Sequence, residues 1–218
     1  MRVRFLPFLV LLLGFSLAAG PEAEAHKGEN HSKPKHAPAV QKNLPKLPQA
    51  AGLPFGAKIG GSFDLFDHHG QRRTEESFAG KYRLIFFGYA KCPGICTVAL
   101  PRMAEAVDML SDLSQDLQPL VITVDAKRDT PKVMKEALAA YGPGLLGLTG
   151  EERQLAAARK AFQVEVKELF VDPEHGPVYS HGSFIYLMDR EGKFVTLFPP
   201  ILSPERIAEL VRKYVTTS

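Results

Sequence analysis

The stretch Tyr82-Arg-Leu-Ile-Phe-Phe-Gly-Tyr89-Ala-Lys-Cys92-Pro-Gly-Ile-Cys96-Thr97 decides how this chain is read. Its first half, Tyr82 to Tyr89, is a run of strand length, apolar and rich in aromatics. A strand without polar alternation is buried on both faces and sits centrally in a sheet. Its second half sets two cysteines four positions apart, directly after that strand, and they are the chain's only two. A disulfide between them would close a tiny loop. Such a loop constrains the unfolded chain little, so the pair is a poor staple and points to chemistry.

Working outward, short alternating runs at Phe63-Asp-Leu65 and Gln71-Arg-Arg-Thr74 flank Asp67-His-His-Gly70, a hairpin signal. After the cysteines, Met103, Val107 and Leu110 share one face of a helix running to Leu113. Leu120-Val-Ile-Thr-Val124 is a second buried strand. Thr130 with Pro131 supplies a cap and a first-turn proline for a helix to about Tyr141. Leu145 to Leu148 is a short strand, and Thr149-Gly-Glu-Glu152 opens a helix to Phe162. Gln163 to Phe170 alternates as a strand. Phe184–Met188 and Phe194–Phe198 flank an Asp-Arg-Glu-Gly turn as a hairpin, and Ser203-Pro-Glu205 opens a closing helix to about Tyr214. Strands alternating with helices, then a hairpin and a helix, predict an α/β sandwich with a mixed central sheet flanked by helices and an N-terminal β-hairpin. That order is thioredoxin-like, and the cysteines stand after its first central strand, where α/β folds place their sites.

Upstream of residue 55 the chain changes character. Arg2 and Arg4 precede an apolar run from Phe5 to Ala19, and Ala23-Glu24-Ala25 fits a small-x-small cleavage site. Residues 1–25 are therefore read as a signal peptide or an uncleaved N-terminal anchor, the run being short for a membrane span of about 20 residues. Residues 26–54 carry Pro34, Pro38, Pro45, Pro48 and Pro54 among lysines, the composition of a flexible tether. His26, His31 and His36 recur there at five-residue intervals. They are read as part of a polar spacer, because no fixed geometry holds the rings. The globular domain spans 55–218. A net charge of +3 across 218 residues speaks against a nucleic-acid or polyanion binder.

The cysteine loop admits two conformations. As helix, it projects both sulfurs from one face. As a turn ahead of the helix, it leaves Pro101 in a first turn. Either way the sulfurs sit near a helix N-terminus, which favours thiolate over thiol. Paired thiolates are soft ligands suited to Cu(I), Zn(II) or an iron–sulfur unit. The spacing is neither the C-x-x-C of thioredoxins nor the C-x-x-C-H of haem attachment. His68 and His69 fall in the hairpin turn and are expected to face solvent. His175 lies in a breaker-rich loop, Asp172-Pro-Glu-His-Gly-Pro177. His181, in Tyr179-Ser-His-Gly-Ser183, precedes the strand at 184–188, where a thioredoxin-like sheet faces its cysteine loop. Pattern alone leaves His181 either a surface-loop residue or the third member of a Cys₂His set.

Taken together, these residues resemble the Sco/SenC family of copper-binding assembly factors for cytochrome c oxidase, over about residues 58 to 215. The resemblance rests on Leu84-Ile-Phe-Phe-Gly88, Cys92-Pro-Gly-Ile-Cys96, Val121-Ile-Thr-Val-Asp125 followed by Arg128-Asp-Thr-Pro131, Gly147-Leu-Thr-Gly150, and Ser180-His181 leading into Tyr186-Leu-Met-Asp189. It implies one copper ion per chain, Cu(I) or Cu(II), held by Cys92, Cys96 and His181, with Asp125 close by. It implies a copper chaperone serving the CuA site, whose partners are an oxidase subunit or another copper chaperone. The export segment at 1–25 points to a place in the periplasm or on the outer face of the cytoplasmic membrane. Three positions depart from the family pattern: Gly94 replaces an acidic or polar residue, and Thr97 and Ala126 replace prolines.

Rival readings come from other classes. Cys92 and Cys96 can cycle between dithiol and disulfide as a thiol–disulfide oxidoreductase. A peroxiredoxin-type peroxidase would use Thr97 and Arg102 beside one activated cysteine. A plain binding module would leave the cysteines unexplained. Met103, Met109, Met134 and Met188 fall on apolar stripes and are read as core. Asp125 and Asp129 can cap the helix at Pro131, and Arg83, Lys127 and Arg128 are read as solvated charges.

Overall fold

The computed structural model describes residues 58–217. The export segment at 1–25 and the tether at 26–54, with His26, His31 and His36, lie outside the described residues. Nine strands and four α-helices follow one another as β1 (Asp64–Asp67), β2 (Arg72–Thr74), β3 (Tyr82–Gly88), α1 (Cys96–Asp108), β4 (Leu117–Thr123), α2 (Pro131–Leu138), β5 (Leu146–Thr149), α3 (Glu152–Ala161), β6 (Lys167–Asp172), β7 (Gly176–Ser180), β8 (Ile185–Met188), β9 (Phe194–Phe198) and α4 (Pro204–Thr217). Seven strands form one sheet in the order β2-β1-β5-β4-β3-β8-β9, and β6 pairs with β7 alone. The strands β3, β4 and β5 are parallel, β1 and β8 join them antiparallel, and β2 and β9 pair antiparallel with β1 and β8. Parallel neighbours need crossovers, which α1 and α2 supply.

Every residue of β3 is buried. Leu84 and Phe86 enter one core with Met103, Met134, Ile207 and Val211, so α1, α2 and α4 share that face. Ile85 and Phe87 enter the other with Phe63, Leu65, Leu155 and Phe162 from the N-terminal hairpin and α3. The apolar run from Leu84 is thus a strand packed on both faces, as a central parallel strand requires. The start of α2 is also as expected: Thr130 Oγ1 accepts from the Val133 N–H (3.3 Å) ahead of Pro131. The capping acid of α3 is Glu151, whose N–H donates to Gln154 Oε1 at 2.9 Å.

Several expectations give way. Helix α1 begins at Cys96 rather than Met103 and carries Pro101 inside it. Buried Ala99, Leu100, Met103 and Ala104 hold the helix against the sheet despite the bond that proline removes. The strand predicted from Gln163 begins at Lys167, because Gln163 closes α3 in the left-handed region (φ 56°). Its partner β7 lies in a segment read as a loop. Met103, Met134 and Met188 are core, but Met109 ends α1 at the surface, 45% exposed. His68 is half-buried, its Nδ1 accepting from the Gly147 N–H at 3.1 Å. Burial lowers its pKa. Arg83, expected in solvent, is 5% exposed. No described helix is long and apolar enough to cross a membrane.

Candidate metal centre

The cysteine loop leaves the end of β3 and turns into α1, so both conformations foreseen for it occur in sequence. Cys92 stands in the turn, its N–H donating to the Tyr89 carbonyl (3.2 Å), and Cys96 is the first residue of the helix. Thr97, where the family has proline, donates through Oγ1 to the Gly94 carbonyl at 2.8 Å, and its N–H reaches the same oxygen at 3.1 Å. The hydroxyl therefore pins the loop by a bond where proline would pin it by its ring. A Cβ at Gly94 would meet nothing within 4 Å, so the missing side chain there leaves open space. Gly88 is different. A Cβ there would stand 3.1 Å from Cys96 Sγ and 2.8 Å from Phe86 Cε1, so the buried sulfur needs bare backbone beneath it.

His181 closes the site from the other side, between β7 and β8. Its Nε2 lies 3.8 Å from Cys92 Sγ and 3.6 Å from Cys96 Sγ. Its Nδ1 lies 3.0 Å from the Gly182 carbonyl. A carbonyl only accepts, so Nδ1 carries the proton and the Nε2 lone pair faces the sulfurs. This is the tautomer a metal-binding imidazole needs. The ring packs edge-on against Phe86 and Tyr89, with centroids 6.0 and 5.7 Å away. The three donor atoms all lie within 4.8 Å of one another.

The sulfurs share one proton unequally. Cys92 is held far below a free thiol, at about 4, chiefly by the hydrogen bond from Cys96. The N–H groups of Cys96 and Gly94 add to it, while burial opposes. Cys96, more deeply buried and donating to Cys92, is pushed up. Burial lifts the Tyr89 hydroxyl to about 12, so it stays protonated beside the Cys92 thiolate. In the reduced, metal-free protein Cys92 is then ionised throughout the neutral range. Its alkylation by iodoacetamide, followed by mass spectrometry, is expected to change little between pH 6 and 8. An unperturbed thiol, with a pKa of about 8.5, would gain nearly tenfold per unit.

Asp125 and Arg128 act one layer out. The Asp125 carboxylate pairs with Arg128 Nε. Arg128 is not a solvated charge: Nη1 donates to the His175 carbonyl (2.5 Å) and Nη2 to that of Pro177 (2.7 Å), both at the β6–β7 hairpin. Its guanidinium lies over the Tyr89 and Tyr179 rings at 5.7 and 5.8 Å. Asp125 therefore reaches the site through Arg128 and Tyr89, and Arg128 straps the hairpin that carries His181. Arg128→Ala is expected to weaken copper binding about tenfold and to speed amide exchange across 167–180, read by hydrogen-exchange mass spectrometry.

Sequence reading missed Asp129, which it took for a helix cap. Asp129 is 1% exposed. Its Oδ2 accepts from Thr123 Oγ1 (2.6 Å) and from the Ala90 N–H (2.9 Å), fixing the cysteine loop two residues before Cys92. Burial raises its pKa. Nothing in the spacing separates a buried anchor from a cap, because both look like an acid just ahead of a helix. The other foreseen candidates lie elsewhere. His68 and His69 bond to each other (3.0 Å), His175 pairs with Asp172 (2.9 Å), and Arg102 donates to the Pro200 carbonyl (3.1 Å).

Fold and site together define a thioredoxin-like domain that brings two thiol sulfurs and one imidazole nitrogen to a single point. The chain belongs to the SCO1/SenC family, whose profile matches residues 51–216. It is 33% identical over 209 residues to Protein sco1 of Schizosaccharomyces pombe, spanning 94% of this chain and 77% of that one. Among solved structures it is similar to copper-bound ScoI of Bradyrhizobium japonicum, with 35% identity and TM-score 0.67 over 72% of this chain and 99% of that one. It is likewise similar to copper-bound yeast Sco1, with 34% identity and TM-score 0.68 over 74% and 91% of the two chains.

Proposed function

We propose that this chain carries one copper ion on Cys92 Sγ, Cys96 Sγ and His181 Nε2 and delivers it during cytochrome c oxidase assembly, at the CuA site. The observation that carries the reading is the convergence of those three atoms within 4.8 Å, with the imidazole lone pair turned toward the sulfurs. Two thiolates and an imidazole saturate Cu(I), and with a weak further ligand they hold Cu(II). Closed structural zinc wants four protein ligands, and three are gathered here among the described residues. Copper is cargo in this reading. A three-donor site partly open to solvent lets an acceptor's ligand join the metal before the donor releases it.

The acceptor is an oxidase subunit or another copper chaperone, in keeping with Sco proteins as cytochrome c oxidase assembly proteins. The N-terminal residues 1–25 would export the chain to the periplasm or hold it at the outer face of the membrane. Residues 26–54 would then give the domain its reach, and Asp125 would steady the site through Arg128.

One observation also favours thiol exchange. Cys92 as thiolate and Cys96 as thiol, hydrogen-bonded to each other, are one step from a disulfide. Closing it passes two electrons and the one Cys96 proton to an oxidised partner cysteine pair, which takes a second proton from water to become a dithiol. His181 separates the roles, since copper needs it and exchange does not.

The test is copper content and visible absorption of the reduced full chain beside His181→Ala, after removal of weakly bound metal with a mild chelator. One copper per chain with a thiolate-to-Cu(II) band, much weakened in His181→Ala, is expected. Chelated wild type free of copper, with a readily cycled Cys92–Cys96 disulfide, would leave a thiol oxidoreductase instead.

A further inference from the structure

Arg83 is the second residue of β3, at the end of the strand opposite the cysteine loop. Sequence placed it in solvent, yet it is 5% exposed. Among the described residues no carboxylate touches it. Its Nη2 makes one weak contact with the Arg190 carbonyl (3.3 Å), and its Nε has no hydrogen-bond partner. A guanidinium stays charged at any physiological pH, and a buried charge is normally paired. The carboxylates of Asp189, Glu75 and Glu191 act on it through space, and none makes a hydrogen bond to it. Asp189 Oδ1 accepts from the N–H groups of Glu191 (3.0 Å) and Lys193 (2.7 Å), and Glu75 Oε2 from that of Phe63 (3.0 Å).

The space around Arg83 is built for the guanidinium. Gly192 turns the β8–β9 hairpin at φ 80°, and a Cβ on it would come within 2.6 Å of Arg83 Nη1. The arginine lines a cavity of about 520 Å³ together with Lys58, Arg190 and Lys193 and with Glu75, Glu76 and Glu191. That is the size of a small-molecule site. Its four cationic side chains outnumber its three carboxylates by one, so it suits a ligand of low anionic charge, and apolar Ile59 and Phe194 help to wall it.

We propose that this cavity is an oxyanion site, in which Arg83 binds a carboxylate or phosphate group of a small ligand at the pole away from the metal centre. Arginine suits both groups because its planar fork matches their oxygens. Burial lowers the arginine's pKa, while Asp189, Glu75 and Glu191 oppose that shift. The site is independent of copper, so its test stands apart from that of the proposed function.

The experiment uses the full chain in neutral detergent. Its thermal midpoint is followed as sodium chloride is replaced by sodium phosphate or sodium acetate at constant ionic strength. At ten times the dissociation constant a rise of about 3 to 5 °C is expected for phosphate, for acetate or for both, and which salt acts identifies the group bound. Arg83→Met, which replaces an unpaired buried charge by an apolar chain of similar length, is expected to fold and to lose the rise. In the wild type, the Arg83 Nε–H resonance is expected to move with the same concentration dependence, a readout that needs no variant. Neither salt raising the midpoint, an equal rise in Arg83→Met, or an unmoved Nε–H resonance would overturn the proposal.

Discussion

With Cys96 replaced by Ser, the reduced chain is expected to lose copper by at least about a hundredfold in affinity, more than any other single change at the site. The reason is in the donor set. Removing one sulfur leaves a single thiolate and an imidazole, too few for trigonal Cu(I). Cys96 is also the buried member, packed beneath Gly88 and Phe86, so no other side chain can swing in to replace it. The hydroxyl of Ser fits the space, so the fold should survive, as near-unchanged thermal unfolding of the metal-free protein would show. Second-sphere changes such as Arg128→Ala typically cost metalloproteins 10–100-fold, and a lost ligand should exceed that. Competition with a Cu(I) chelator measures both, and a Cys96→Ser chain that keeps wild-type affinity would remove this cysteine from the site.

Asp129→Ala is expected to destabilise the domain by about 3 kcal/mol and to loosen copper as well. Removing the carboxylate strands two buried donors, Thr123 Oγ1–H and the Ala90 N–H, at a cost of about 1–3 kcal/mol for each unpaired group. For a domain of this size that lowers the thermal midpoint by about 6–12 °C. The Ala90 bond also fixes the approach to Cys92, so copper affinity should fall with stability. A midpoint within about a degree of wild type would show that the loop does not depend on this anchor.

The elements were largely legible because their signals are local. The largely apolar run at 82–88 meant a doubly covered strand, and Thr130-Pro131 meant a helix start. Reading failed where packing overrides local preference. Pro101 left open whether the cysteine segment was helix or a turn ahead of one, and the buried face of α1 carries the helix back through it to Cys96. The segment at 176–180 looked like loop because of Gly176 and Pro177, yet it pairs with β6 and is strapped by Arg128. Arg83 and Arg128 looked like surface charges because nothing in a sequence reports what a neighbouring turn or hairpin will cover.

The same division holds at the metal centre. By itself the sequence determined the sheet's central strand, the two cysteines at its end, and the short set of histidines that can complete them. Those features depend on side-chain type and on spacing along one segment. Tertiary structure alone decided that His181, 85 residues beyond Cys96, meets both sulfurs with its lone pair inward while His68 and His175 bond elsewhere. It alone decided that Asp129 rather than a cap residue holds the loop. The reason is physical: ligation and burial depend on distances between segments remote in sequence, and only the packed sheet, with its two cores and the Arg128 strap, sets those distances.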